Sequence, residues 1–161
     1  MGVAASELIE HVIRPTLLGL NRHSSAAENL LLGVAACQSH LCLCLDNPNG
    51  HGIYCISEAS HLTLWDHFLA LEPDLASQVR GLASQHAFLT APHLELTVNL
   101  RYATAIAWML IEAHLHPLPL PEQQSVQEMA QLWLKVFRPD GRIRDFVSAW
   151  HKHVEQAYKA A

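Results

Sequence analysis

A chain of 161 residues, 50% of them hydrophobic, is long enough for one domain with a buried core and too short for two. Its formal charge of -5 and its scattered Lys and Arg residues argue against nucleic acid as a partner, which needs clustered cations on one face. No uninterrupted apolar run reaches the roughly eighteen residues of a membrane span, and no basic stretch followed by an apolar one marks a secretory signal.

The start Met1-Gly2-Val3-Ala4-Ala5-Ser6 fits the N-myristoylation pattern, although Ser6 is better explained as the cap of a first helix. In that helix Leu8, Ile9, Val12 and Ile13 recur at helical spacing, and Pro15 should end or kink it. Ser25-Ala26-Ala27-Glu28 has the form of a capping box. The run from Leu30 to Ala36 that follows is apolar on nearly every side, as expected of a buried central helix ending at Gln38 and Ser39.

Leu41 to Leu45 and Gly52 to Ile56 read as two short strands around the turn Asp46-Asn47-Pro48-Asn49-Gly50, a hairpin that is the one β element expected. Ser57 caps the next helix, which directs Leu62, Leu64, Trp65, Phe68 and Leu69 inward. Pro73 opens another through Leu75, Val79 and Leu82. From Pro92 to about His114 the pattern reads as one long buried helix, including Leu94 and Val98. His116 to Pro121 is a stiff extended connector, Met129, Leu132, Trp133 and Val136 face inward on a further helix, and Arg138 to Gly141 is a turn before a last amphipathic helix.

All four cysteines, Cys37, Cys42, Cys44 and Cys55, lie between positions 37 and 55. Their spacing lacks the paired knuckles of ordinary zinc sites, and buried thiols acting as small hydrophobes account for them. With His40 and His51 they form the alternative, a soft-metal site of thiolates and imidazoles. No cofactor is otherwise expected. Of the twelve histidines, the pairs His114/His116 and His151/His153 sit two apart on helix ends, share no face, and read as solvated. Ser39–His40 and Ser60–His61 are too close in sequence to act as nucleophile and base. Trp65, Trp108, Trp133 and Trp150 read as core, with sugar stacking as the functional alternative.

Three separated pieces share one pattern: Ala36-Cys37-Gln38-Ser39 at a helix end, Gly52-Ile53-Tyr54-Cys55-Ile56 after a short loop, and Asn99-Leu100-Arg101-Tyr102-Ala103 opening a helix. In this order they resemble the lysozyme-like superfamily, closest to the soluble lytic transglycosylase and goose-type lysozyme branch and its phage-encoded members. The resemblance spans roughly residues 25 to 110. It implies a mainly α, single-domain lysozyme-like fold with a small β-hairpin beside the cleft. It further implies a peptidoglycan strand as ligand, with Ser39, Gly52, Ile53, Tyr54, Cys55, Asn99 and Tyr102 as substrate-binding positions.

In that family the helix ends in a catalytic Glu, and this chain has Gln38 there. Glycosidic cleavage of this kind needs a carboxylic acid beside the scissile oxygen. Gln38 can bond a sugar and cannot protonate one, so the resemblance implies catalysis lost or much weakened. Cys55 replaces the family's Gln, and Cys42 stands where a small residue such as Gly is usual. Glu58, close in sequence to the cleft, is the candidate substitute acid, though a carboxylate at a helix start, like Asp46 in its turn, is explained structurally. The alternative function is a non-enzymatic virion, assembly or interaction protein on the same fold, with phage structural proteins as partners. Location stays open between virion and host cytoplasm.

Overall fold

A computed structural model of the chain describes residues 2–42 and 45–156; Met1 of the lipidation pattern and Leu43 and Cys44 of the first expected strand lie outside the described residues. The protein is mainly helical. Helix α1 (Ala5–Leu8) is not capped by Ser6, and it does not stop at Pro15. A π turn over Ile9–Ile13 carries it into α2 (Arg14–Gly19), with the Arg14 N–H bonded five residues back to the Ile9 carbonyl. Proline lacks an N–H and crowds the carbonyl four residues before it, and the wider turn relieves that crowding so the apolar face continues through Leu17.

Helix α3 (Ser25–Ser39) is the buried centre, packed against the first helical segment, α8 (Leu100–Leu115), α9 (Val126–Val136) and α10 (Ile143–Trp150). Its cap is Ser24, one residue before the expected box, whose Oγ accepts the Ala27 N–H at 3.0 Å. Glu28, one position too late for a capping box, is buried and accepts from Arg14 Nη2 at 2.8 Å and lies 2.7 Å from His23 Nε2. Burial pushes its carboxyl up, but the bonds and charges of Arg14 and His23 outweigh that and hold it below the usual range. Where α10 crosses, Gly33 leaves space for the Phe146 ring, which would stand 2.4 Å from a Cβ.

The expected hairpin is present but displaced into its own turn signal. Strand β1 (Asp46–Asn47) pairs antiparallel with β2 (Gly50–His51) around Pro48 and Asn49, and Gly52 to Cys55 form tight turns that return through a bridge between His51 and Ile56. Both expected strands are interrupted by left-handed residues, which a pleated strand excludes. His40, Leu41 and Cys42 have φ of 52°, 56° and 72°, and Gly52 and Cys55 have 76° and 50°.

Helix α4 (Glu58–His67) is capped by Ser57, α5 (Pro73–Gly81) follows, and α6 (Gln85–Thr90) precedes a single 3-10 turn at Pro92–Leu94. The long helix expected from Pro92 is divided into α7 (Glu95–Val98) and α8 by Asn99, whose extended backbone and side-chain oxygen cap α8 through the Tyr102 N–H at 3.0 Å. This break turns Leu94 and Val98 to solvent, and Leu62 of α4 is likewise exposed. The His116 connector begins with a turn from Leu115 to Leu118. Ser125 and Glu128 form the capping box of α9, and α10 continues into a π turn over His151–Glu155.

Candidate functional site

Gln38 ends α3, where the apolar helix leaves it 7% exposed. Its Nε2 donates to the Tyr54 carbonyl at 3.1 Å, tying the helix end to the Gly52–Ile56 segment. A carbonyl can only accept, so this bond fixes which way the amide points. That is the bond the Gln38 side chain makes among the described residues, and Gln38 also borders the adjoining cavity.

That cavity, of about 390 Å³, lies between the end of α3 and the C-terminal helices. Cys37, Gln38 and His40 border it from α3, Trp133 and Arg138 from the end of α9, and Asp145, Lys152 and His153 from α10 and its continuation. His40 Nδ1 lies 3.3 Å from His153 Nε2, so His153 is not the solvated residue its spacing suggests. Burial, then the charges of His40 and Lys152, hold the His153 imidazole below its usual pKa. Burial pushes the Cys37 thiol up to about 12, with Asp145 adding to the rise and Arg138 opposing it. A thiol so held is protonated at neutral pH and is a poor nucleophile.

The expected substrate-binding residues do not border this cavity. Ser39 is buried, its Oγ donating to the Ala35 carbonyl and accepting the Cys42 N–H. Gly52 is pressed against the Leu96 carbonyl, and Ile53 and Cys55 are buried. Tyr54 offers Gln38 its backbone oxygen, while its hydroxyl bonds Thr104 Oγ1 at 2.8 Å. Asn99 donates through Nδ2 to the Leu82 carbonyl and to Glu95 Oε2.

Tyr102 belongs to a second polar cluster that sequence spacing did not reveal. Trp65 Nε1 donates to the Tyr102 hydroxyl at 3.1 Å, and that hydroxyl lies 2.8 Å from His61 Nε2. An indole can only donate, so the hydroxyl accepts from Trp65 and sends its own proton to His61 Nε2; the reverse would leave the hydroxyl proton without an acceptor. His61 then carries its proton on Nδ1 and donates to His93 Nδ1 at 3.0 Å. His93 stacks on His51, which lies 3.0 Å from Glu58 Oε1. Glu58 is exposed and does not border the Gln38 cavity.

His61 is 1% exposed, and burial followed by the charges of His93 and His51 lowers it to about 4. Burial pushes the Tyr102 phenol up to about 12. Between pH 6.5 and 4 the unfolded chain therefore protonates His61 and the folded chain does not, so folding loses stability as pH falls through that window. We expect the loss to reach up to about 3 kcal/mol. In urea denaturation at several pH values, His61→Gln should flatten that part of the curve relative to the parent; parallel curves would show that His61 is not buried neutral.

The described members of the expected soft-metal set lie in different parts of the structure. Cys37 and His40 border the cavity, Cys42 lies in the turn after α3, His51 joins the second cluster, and Cys44 lies outside the described residues. Among the described residues no three His, Cys, Asp or Glu are arranged to hold a metal ion, and no helix is long and apolar enough to cross a membrane. Compared with family models, curated proteins and solved structures, the chain matches none.

Proposed function

We propose that the protein binds peptidoglycan glycan strands in the cavity beside Gln38, as a relative of lytic transglycosylases and lysozymes whose cleavage activity is lost or much weakened. The observation that carries this reading is the bond from Gln38 Nε2 to the Tyr54 carbonyl, which joins two of the three segments that carry the resemblance and leaves the amide oxygen of a cavity-lining residue free to accept. An oriented acceptor suits an N-acetylated sugar, whose amide N–H and hydroxyls donate. The same position cannot supply the proton that departure of a sugar oxygen requires.

Purified bacterial cell walls test the reading directly. The protein should cosediment with the walls, bind chitotetraose in calorimetry, and leave wall turbidity unchanged. Rapid clearing by the unmodified protein would overturn the loss of catalysis. Failure to bind either walls or chitotetraose would overturn the glycan reading and favour an assembly or interaction role.

A further inference from the structure

The cavity beside Gln38 is basic in a protein that is acidic overall. Arg138 and Lys152 border it, with the His40–His153 pair between them and Asp145 as its one carboxylate among the described residues. The chain as a whole carries a formal charge of -5. Lys152 has no ion-pair partner among the described residues, and Arg138 has only the exposed Asp140 at 3.5 Å. The turn that bears Arg138 is held at the cavity wall by its own bonds: the Arg138 N–H donates to the Trp133 carbonyl at 3.1 Å and the Gly141 N–H to the Arg138 carbonyl at 2.9 Å. Gly141 lies close over the Trp133 indole, where a Cβ would come within 2.8 Å of Cη2. Trp133 is 3% exposed, and its Nε1–H is buried without an acceptor. Two cations against a single lining carboxylate among the described residues, in one concave site, call for an anionic ligand.

We infer that this cavity is a carboxylate subsite: Arg138 and Lys152 hold a carboxylate substituent of the sugar strand while Gln38 Oε1 accepts from the sugar itself. This rests on the glycan reading above and adds the charge of the ligand. Two sources carry that chemistry, the free lactyl ether of N-acetylmuramic acid and the carboxylates of a stem peptide. Affinities measured by calorimetry for three tetrasaccharides separate them: neutral chitotetraose, the alternating N-acetylglucosamine–N-acetylmuramic acid strand with free lactyl groups, and that strand bearing stem peptides. At least one carboxylated strand should bind about tenfold tighter than chitotetraose at low salt, with the margin shrinking as salt is raised. Whichever strand is preferred names the source. Arg138→Gln and Lys152→Met should each reduce the margin, and Asp145→Asn, which removes the opposing charge, should widen it. Equal binding of all three strands would overturn the carboxylate subsite and leave the glycan reading standing, as would a margin that survives the double variant Arg138→Gln/Lys152→Met. If no strand binds, both readings fall.

Discussion

On the proposed function, Gln38→Glu is expected to confer clearing of bacterial cell walls, raising the rate of turbidity loss by about a hundredfold or more over the unmodified protein, the range a positioned general acid contributes. The side chains share a shape, so the carboxyl would occupy the place of the amide. One of its oxygens would stand about where Nε2 now donates, 3.1 Å from the Tyr54 carbonyl. Two oxygens at that separation share a proton or repel, and the site is nearly closed to water. Both effects favour the neutral acid and raise its pKa toward neutrality, the condition for donating a proton to a leaving sugar oxygen. Glu58 lies 3.0 Å from His51 Nε2 and does not border this cavity. A folded Gln38→Glu protein that binds walls as before and never clears them would show that the cavity lacks more than its acid.

Gly52→Ala is expected to lower stability by about 4 kcal/mol, near the upper end for a single substitution, and to weaken glycan binding with it. Two costs coincide there. The residue has φ of 76°, where any Cβ is strained, and the added carbon would fall 1.8 Å from the Leu96 carbonyl oxygen, a contact that backbone must move to relieve. The segment that would move carries Tyr54, the residue that orients Gln38. Urea denaturation measures the first effect and calorimetry with chitotetraose the second. A loss below about 1 kcal/mol would mean that the segment does not approach α7 this closely.

Most of the helical framework was legible because helix starts and apolar faces are local matters. Ser57 and Pro73 begin the helices their chemistry predicts, and the all-round apolar run of α3 is buried as such a run must be. The misreadings occur where two local signals competed and distant packing chose between them. Ser24 and Ser25 are both good caps, and Glu28 supported the wrong one because its true role is to bond Arg14 and His23. Pro15 signals a helix end or a kink by itself, and the helix does not end there because a π turn accommodates it once the apolar face beyond it has a core to cover. Asn99 was readable as a helix opening, and that reading prevailed over the apolar run that spans it.

The sequence by itself determined that the protein is mainly helical, that α3 is its buried centre, and that Gln38 rather than an acid ends that helix, because each depends on residue identity and on neighbours within a turn or two. Only the tertiary structure decided what Gln38 faces. His40 and His153 meet across 113 residues, Tyr102 and His61 across 41, and Arg138 reaches the cavity by a turn laid over Trp133. Spacing along a chain says nothing about such meetings. They are set by how α9 and α10 pack against α3, and that packing made a basic cavity from residues read singly as core, turn and solvated surface.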